Sequence, residues 1–257
     1  MPTQAQKADT FRSLHVKGDP VVLYNIWDPG SAKVVAEAGA NALATGSAPV
    51  AMAQNYPDGE QIPLEKALAN AARIVEHTEL PVSLDFEGAY ASDPGGIAAN
   101  VEKALGTGVI GFNFEDQIVG TAELYDIADQ EKRVAAMRNA IDASGTGAFL
   151  NARTDIFLKN ARETHDGTML DQALERAEAF VSAGADGFFA PGLADPSLIE
   201  RLCGAVSVPV NIIALPGTPP ISELKNLGVG RVSFGPVPYR QMMAALAEAA
   251  RRAISGE

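Results

Sequence analysis

Apolar segments with the features of buried strands alternate along the chain with segments of helical periodicity. In residues 168–183, for example, apolar side chains recur every three or four positions, which is typical of a helix that packs one face against a core. Eight strands are predicted, at residues 20–28, 40–46, 82–87, 110–116, 149–155, 187–192, 209–215 and 232–236. Helices are predicted at residues 30–38, 63–78, 94–106, 129–143, 168–183, 195–204, 220–227 and 239–253, with one more within 3–16. This alternation favours parallel strands joined by crossover helices.

Four of the predicted helices end at a glycine that shortly precedes a strand, in residues 37–43, 106–112, 182–188 and 226–232. Glycine just beyond a helix can adopt the left-handed conformation that satisfies the last helical carbonyls. Eight strand–helix pairs without a break in composition predict an α/β fold, a single (β/α)8 barrel domain over residues 1–257 with a short N-terminal helix that caps one end. The alternative is a doubly wound open sheet, but no Gly-x-Gly-x-x-Gly follows the first strand.

Composition and charge narrow the possible partners. The chain has a net charge of −12, which argues against nucleic acid or an anionic membrane as a partner. Cys203 is the only cysteine, so an intrachain disulfide and a cysteine-rich zinc site are excluded; as a lone thiol on a predicted helix it is expected to be buried. The polar start lacks a signal-peptide core, and no apolar run approaches the length of a membrane span. We therefore expect a cytoplasmic protein.

Polar side chains collect where predicted strands three, four and five end. Asp85 and Glu87 are two positions apart, so they share a face of their strand. The same spacing pairs Asn113 with Glu115, and Arg153 ends the next strand. The apolar residues that alternate with these polar ones should face the surrounding helices: Phe86, Phe114 and Ala152. Any one of these acids could cap a helix or join a loop salt bridge, but their joint position on adjacent strands favours a functional site. Three converging carboxylates repel one another and need a cation, for which Mg²⁺ is the first candidate.

Other polar residues near the strand ends have structural explanations. Asp28 precedes the first barrel helix and is expected to be its N-cap. Asp116 and Asp155 fall outside the alternation and are expected to cap or brace loops. The three histidines lie away from the strand ends and are each expected at the surface: His15, His77 and His165.

Five segments, in order along the chain, resemble the isocitrate lyase/phosphoenolpyruvate mutase superfamily. They are residues 25–32 together with 38–40, then 45–47, 84–90, 111–116 and 152–155. The likeness runs from about residue 11 to residue 245. Because the matches are ordered and cover most of the chain, they are far more specific than any single motif.

The resemblance implies a metal site. In this superfamily Mg²⁺ is bound mainly by the acid that matches Asp85. The acids that match Glu87 and Glu115 reach the ion directly or through water. The ion would chelate the carboxylate and 2-oxo oxygens of a pyruvate-like substrate. Metal and arginine together stabilise an enolate, which is the intermediate when a bond beside a 2-oxo group breaks.

The resemblance also implies how the substrate is held. The backbone amides of Gly46 and Ser47 would bind its carboxylate, and Arg153 would face developing oxyanion charge as a catalytic residue. Three further residues are expected to contact the substrate: Trp27, Thr45 and Asn113. Because of the metal and arginine, a small anionic carboxylate is compatible with the acidic chain.

The segment after the second strand, residues 48–61, looks like the gating loop of the superfamily. Asp58 would then lie where the phosphonomutase branch carries a reactive acid, and closure of the loop would exclude water from an enolate. An ordinary Pro-Asp-Gly surface turn explains the same residues equally well.

Several departures bear on the activity. Residues 117–125 contain neither the cysteine nor the histidine of the lyases that cleave isocitrate or methylisocitrate, so isocitrate lyase activity is not expected. The mutase branch has a histidine after strand six, where this chain reads Ala190-Pro191-Gly192. Glu87 stands in place of the usual aspartate, which puts true phosphoenolpyruvate mutase activity in doubt.

The expected function is a Mg²⁺-dependent lyase or mutase. It would break or rearrange a C–C or P–C bond of a small 2-oxo or 2-hydroxy carboxylate through a pyruvate enolate, as in phosphoenolpyruvate phosphonomutase-like or oxaloacetate decarboxylase-like chemistry. The alternatives are a phosphate-binding aldolase or isomerase barrel, with weak glycine-rich loops after strands seven and eight, and a non-catalytic ligand-binding barrel. The resemblance also implies a homodimer or homotetramer, possibly with the last helix swapped between subunits.

Overall fold

Eight parallel strands form one sheet in the computed structural model, which describes residues 2–256. The strands are β1 (Val21–Leu23), β2 (Leu43–Ala44), β3 (Val82–Asp85), β4 (Gly111–Glu115), β5 (Phe149–Arg153), β6 (Gly187–Phe189), β7 (Val210–Ile213) and β8 (Arg231–Ser233). Each is shorter than its predicted segment, and all lie within it except β8, which begins one residue before the predicted 232–236. Residues 1 and 257, the ends of the predicted domain, lie outside the described residues.

The sheet curves round until its first two strands meet. Hydrogen-bonded neighbours follow the order β1-β8-β7-β6-β5-β4-β3-β2. The gap between β1 and β2 is closed beyond the strands, where Ile26 pairs with Thr45 in parallel. There the Ile26 amide donates to the Ala44 carbonyl over 2.9 Å. The result is a nearly closed barrel, which confirms the predicted (β/α)8 fold.

Ten α-helices accompany the strands within residues 2–256, together with a short 3₁₀ helix, Arg162–Thr164. They are α1 (Gln4–Ser13), α2 (Pro29–Glu37), α3 (Ser47–Ala53), α4 (Leu64–Glu76), α5 (Pro94–Leu105), α6 (Ile127–Ser144), α7 (Gly167–Ser182), α8 (Pro196–Ala205), α9 (Ile221–Asn226) and α10 (Val237–Ser255). Asp28 caps α2, as predicted: its carboxylate accepts from the Ser31 amide over 2.6 Å, and the Ser31 hydroxyl accepts from the Asp28 amide.

Helix α3 lies inside the segment that the sequence suggested was a loop. Its sequence is rich in alanine, which favours a helix. Pro49 occupies the first turn, where its missing amide donor breaks no helical hydrogen bond. The loop proper is therefore limited to residues 54–63.

The core has three apolar clusters: a large one outside the barrel, one at its floor, and a small one around α3 and the start of α4. Phe86, Phe114 and Ala152 belong to the large apolar cluster between the strands and the surrounding helices, as the alternation predicted. At the floor, Phe11 of α1 and Phe149 of β5 lie in a second cluster. Phe11 is fully buried, and burial of such a side chain stabilises by roughly 1.5–3 kcal/mol. Helix α1 thus closes the bottom of the barrel and leaves the chemistry to the opposite end.

His15 is not at the surface, so the prediction was wrong for this residue. It is 8 % exposed and stacks on Phe149 with ring centroids 4.2 Å apart. Burial, and then the nearby Arg231, lower the pKa of His15 to about 3. The error arises because α1 places His15, shortly after its end, against Phe149 at the floor of the barrel. No local sequence pattern indicates this tertiary contact.

No helix within residues 2–256 combines the length and the apolar character that crossing a bilayer requires. The cytoplasmic location stays a prediction.

Candidate active site

The carboxyl ends of the strands surround a cavity of about 270 Å³. Its polar wall includes Asp58, Asp85, Asn113 and Arg153. Loops and strand ends meet at this face in (β/α)8 barrels, because every parallel strand points the same way. Six of the residues predicted for the site therefore line one cavity, since Gly46 and Ser47 lie at its rim beside these four.

Asp85, at the end of β3, is held by two backbone contacts. Its Oδ2 accepts from the Ser47 amide over 2.9 Å, and its own amide donates to the Thr45 hydroxyl over 2.9 Å. Its Oδ1 is buried without a hydrogen-bond partner. A buried carboxylate oxygen without a donor is costly, so this atom is suited to a cation.

Glu87 follows β3 in a turn of unusual backbone geometry. Its φ is +50°, and Ala89 and Tyr90 also have positive φ values of 64° and 54°. Such conformations cost of order 1–3 kcal/mol each for residues other than glycine. Glu87 is 4 % exposed, and its Oε2 accepts from the Glu60 amide over 2.8 Å. Burial, and then the charges of Asp58 and Asp85, raise the pKa of Glu87 to about 8.

Arg153, at the end of β5, is clamped between two carboxylates. Its Nη1 lies 2.9 Å from Glu115 Oε2. Its Nε and Nη2 donate to the two oxygens of Asp155 over 2.5 and 2.9 Å. Burial disfavours the charged guanidinium, but Asp155 and Glu115 outweigh it and hold the pKa of Arg153 well above its ordinary value. Arg153 is therefore a fixed positive charge beside the cavity.

Asp155 is a residue of the site that sequence reasoning missed. It lies two positions beyond Arg153, and this spacing could have marked it as a partner of the arginine. Asp116 supports it as a brace, as predicted, since Asp116 Oδ1 accepts from the Asp155 amide over 2.9 Å. The other oxygen of Asp116 lies 3.0 Å from Arg176 of α7. Burial raises the pKa of Asp116 to about 6.

Asn113 is oriented by a polar network inside the barrel. Its Oδ1 accepts from Asn151 Nδ2 over 2.9 Å and from Arg231 Nη2 over 3.0 Å. Because both donors take the oxygen, the amide NH₂ of Asn113 is left for the cavity. Arg231 was missed, because the predicted strand began at residue 232, whereas β8 begins at Arg231. It is 1 % exposed, and burial lowers its pKa to about 9.

Asp58 lies at the rim of the same cavity, in the loop between α3 and α4. Desolvation, and then the charge of Asp85, raise the pKa of Asp58 above its ordinary value. The loop is tied to the turn after β3, because Glu60 Oε1 accepts from the Tyr90 amide over 2.7 Å and the Glu60 amide donates to Glu87. The loop thus covers the carboxylates, while the catalytic role of Asp58 stays a prediction.

Three predicted substrate contacts have protein partners in this structure. The Gly46 amide donates to the Ile26 carbonyl over 3.3 Å, and the Ser47 amide is taken by Asp85. The Trp27 ring packs edge-on against Tyr239, with centroids 5.2 Å apart. Their roles toward a substrate, like that of Thr45, stay predictions.

The carboxylates of Asp85, Glu87 and Glu115 are suitable ligands for a hard divalent cation, although their oxygens do not converge on one point. No group of three histidine, cysteine, aspartate or glutamate residues within 2–256 converges on a single point, because Glu115 faces Arg153 and Glu87 faces the Glu60 amide. The unpartnered Oδ1 of Asp85 is nevertheless a carboxylate oxygen without a donor, and the charges of Asp58 and Asp85 add to burial in raising the pKa of Glu87. An all-oxygen donor set of this kind suits Mg²⁺.

A parallel barrel with carboxylates, an oriented amide and a clamped arginine around one cavity has the features of a (β/α)8 enzyme. A family model described as phosphoenolpyruvate phosphomutase matches residues 11–254. The chain therefore belongs to the phosphoenolpyruvate mutase family, within the phosphoenolpyruvate mutase/isocitrate lyase superfamily, as its motifs indicated.

Similar proteins span nearly the whole chain. A crystal structure from Burkholderia cenocepacia J2315, provisionally named a phosphonomutase, is 46% identical with a TM-score of 0.95, covering 97% of this chain and 99% of that one. An uncharacterized protein of Mycobacterium tuberculosis strain H37Rv is 34% identical over 96% of this chain and 90% of its own length. An oxaloacetate decarboxylase of Chromohalobacter salexigens is 27% identical over 93% of this chain and 82% of its own.

The protein is an enzyme of the lyase and mutase type found in this superfamily, and it is not isocitrate lyase itself. Residues 117–125 form a short hairpin closed by an antiparallel pair, Gln117 with Leu124, and contain no cysteine or histidine. Cys203 is buried in α8, as predicted, and burial raises its pKa to about 12. It is therefore no substitute for a reactive thiol.

Proposed function

We propose that this enzyme is Mg²⁺-dependent and breaks or rearranges a C–C or P–C bond beside the 2-oxo group of a small carboxylate, through an enolate of the pyruvate type. The observation that carries the proposal is the clamped Arg153 in the same cavity as Asp85, whose Oδ1 has no hydrogen-bond partner. A positive charge that cannot reorient stabilises an oxyanion without a reorganisation cost.

Each residue of the site has a proposed role. Asp85, Glu87 and Glu115 would hold Mg²⁺, which when bound supplies positive charge at the substrate oxygens. Arg153 faces the negative charge that develops on the enolate oxygen. The NH₂ of Asn113 donates a hydrogen bond to a substrate oxygen. Asp58, which lines the same cavity and has a raised pKa, would transfer a proton or receive the migrating group.

Two reactions are compatible with the proposal: rearrangement of a P–C bond and cleavage of a C–C bond. The similar proteins include one named as a phosphonomutase and one named as an oxaloacetate decarboxylase, and both reactions pass through the same enolate. A Schiff-base aldolase is disfavoured, since none of the described residues that line the cavity is a lysine. Because both reactions share this enolate, the proposed substrate is a small 2-oxo carboxylate in either case.

The proposal is tested with a panel of 2-oxo and 2-hydroxy diacids and phosphonopyruvate, with Mg²⁺ and with a chelator. Bond cleavage is measured by pyruvate release, and rearrangement of phosphonopyruvate is measured by formation of its isomer phosphoenolpyruvate. We expect turnover of at least one compound, abolished by the chelator and restored by added Mg²⁺. Titration calorimetry should show that oxalate, which resembles the enolate end of such a substrate, binds only in the presence of Mg²⁺. Oxalate binding that is independent of Mg²⁺, or no turnover of any compound in the panel, would contradict the proposal.

We also propose that α10 is exchanged between two copies of the chain in a homodimer or larger homo-oligomer. Of the described residues of α10 only Pro238 is buried. Leu246 and Met242 are 57 % and 55 % exposed on one side of the helix. A groove of about 620 Å³ runs between β1 and α2, and Val22 and Val34 in it are 39 % and 64 % exposed. In a barrel the eighth helix normally covers this position, so α10 of a second copy suits the groove.

The substitution Leu246→Glu should convert the oligomer largely to monomer at micromolar concentration, because it places a charge in the apolar contact. Analytical ultracentrifugation measures the change. Ala244→Glu is the matched control, since it adds the same charge on the opposite side of α10 and should leave the oligomer intact. A wild-type protein that is monomeric, or two variants that behave alike, would contradict the exchange.

A further inference from the structure

A second arginine lines the cavity and has no part in the chemistry described above. Arg240, in the first turn of α10, is exposed and contributes to the cavity wall. Within residues 2–256 its side chain makes no ion pair and no hydrogen bond. Arg153, in contrast, is occupied by Glu115 and Asp155. Arg240 is thus the cation of this cavity whose charge is still available.

The fold itself gives no reason for an arginine at this position. The first turn of α10 contains no acidic residue that could pair with it. A positive charge near the N-terminus of a helix is opposed by the helix dipole, at a cost of about 0.3–1 kcal/mol. Because the charge of Arg240 is unfavourable within its own helix and lines a cavity, a ligand that binds in the cavity is the better explanation for it.

The two arginines approach the cavity from different sides of the barrel. Arg153 ends β5, and Arg240 follows β8. The strands between them, β6 and β7, contribute Phe189 and Ile213 to the wall, and Leu215 continues it. The cavity therefore has one cation beside the carboxylates, an apolar stretch, and a second cation.

We propose that Arg240 binds a distal anionic group of the substrate, a carboxylate or a phosphonate carried on the carbon chain beyond the 2-oxo group. The apolar wall contacts the carbon atoms that join the two charged ends. The identification of the other end of the ligand rests on the proposed function, whereas the role of Arg240 can be measured by binding alone. A guanidinium suits this task because it can donate two parallel hydrogen bonds to such a group.

The test compares three ligands in the presence of Mg²⁺: oxalate, which lacks a distal group, a four-carbon 2-oxo dicarboxylate, and phosphonopyruvate. For Arg240→Gln we expect the Kd, or the KM of any compound that turns over, to rise by about 10–100-fold for a ligand with the distal group. The Kd of oxalate should change less than about twofold, since it does not reach Arg240. Arg240→Lys should recover part of the loss. Lys132→Gln on the outer side of α6, where the side chain is 67 % exposed, removes an equal charge and should change nothing.

The outcomes separate the two proposals. A loss for the dicarboxylate alone or the phosphonate alone identifies the distal group. Equal effects on oxalate and the longer ligands, or no effect of Arg240→Gln on any, would overturn the role of Arg240. If oxalate does not bind the wild type with Mg²⁺, the proposed function fails, while a longer ligand that depends on Arg240 would still support the distal contact.

Discussion

Replacement of Asp85 by asparagine should lower the rate of product formation by at least about 10²–10³-fold. The asparagine oxygen can still accept from the Ser47 amide, which Asp85 Oδ2 contacts over 2.9 Å. The charge at Oδ1, which has no hydrogen-bond partner, is lost. The metal should therefore no longer bind tightly, and the rise in melting temperature that Mg²⁺ produces in the wild type should disappear.

The same variant should not be less stable than the wild type without Mg²⁺. Asp85 lies near Asp58 and Glu87, whose pKa values its charge raises, so a neutral amide removes repulsion from the site. Melting temperatures without metal measure this. Asp171→Asn on the surface of α7, where the side chain is 59 % exposed, is the matched control and should keep full activity. An active Asp85→Asn enzyme that still responds to Mg²⁺ would remove Asp85 from the metal site.

Replacement of Arg153 by lysine should lower kcat by about 10²-fold or more while Mg²⁺ still binds. A lysine keeps the charge but cannot contact Glu115 and both oxygens of Asp155 at once, as Arg153 does. Its ammonium group would be free to move, and the orientation toward the enolate oxygen would be lost. Steady-state kinetics with the best substrate of the panel measures the split between kcat and KM.

The surface substitution Arg201→Lys is the control, since Arg201 also pairs with an aspartate but is half exposed, at 50 % of its side chain. Asp155→Asn provides a second variant in which Arg153 remains and only its clamp is weakened. We expect an intermediate loss of kcat from it. If both Arg153→Lys and Asp155→Asn stay within a few-fold of the wild-type kcat, the clamped arginine does not stabilise the transition state.

Much of the fold could be predicted from local patterns. A strand buried on both sides is a short apolar run, and a helix on the outside of the barrel has apolar residues every three or four positions. These signals placed all eight strands, and the alternation correctly turned Phe86 and Phe114 toward the helices. Helix α3 was missed because its seven residues follow a strand directly and contain a proline, which together look like a loop.

The site was less predictable, because its contacts join distant parts of the chain. Asp85, Asn113 and Arg153 could be selected, since each ends a strand and such ends converge in a barrel. Asp155 was assigned to a loop although it clamps Arg153. Arg231 was overlooked because it lies one residue before the predicted strand 232–236, although it begins β8 and orients Asn113. Arg240 could not be found, because an arginine at the start of an exposed helix looks like any surface residue.

The sequence by itself determined the barrel, the family and the set of acids and arginine at the strand ends, because these depend on periodicity and on the order of strands. Only the tertiary structure decided that Asp85 keeps an unpartnered carboxylate oxygen while Glu115 faces Arg153. It alone also decided that His15 is buried and that Arg240 reaches the cavity. The physical reason is that charge and burial depend on neighbours in space, and here those neighbours come from strands and loops far apart in the chain.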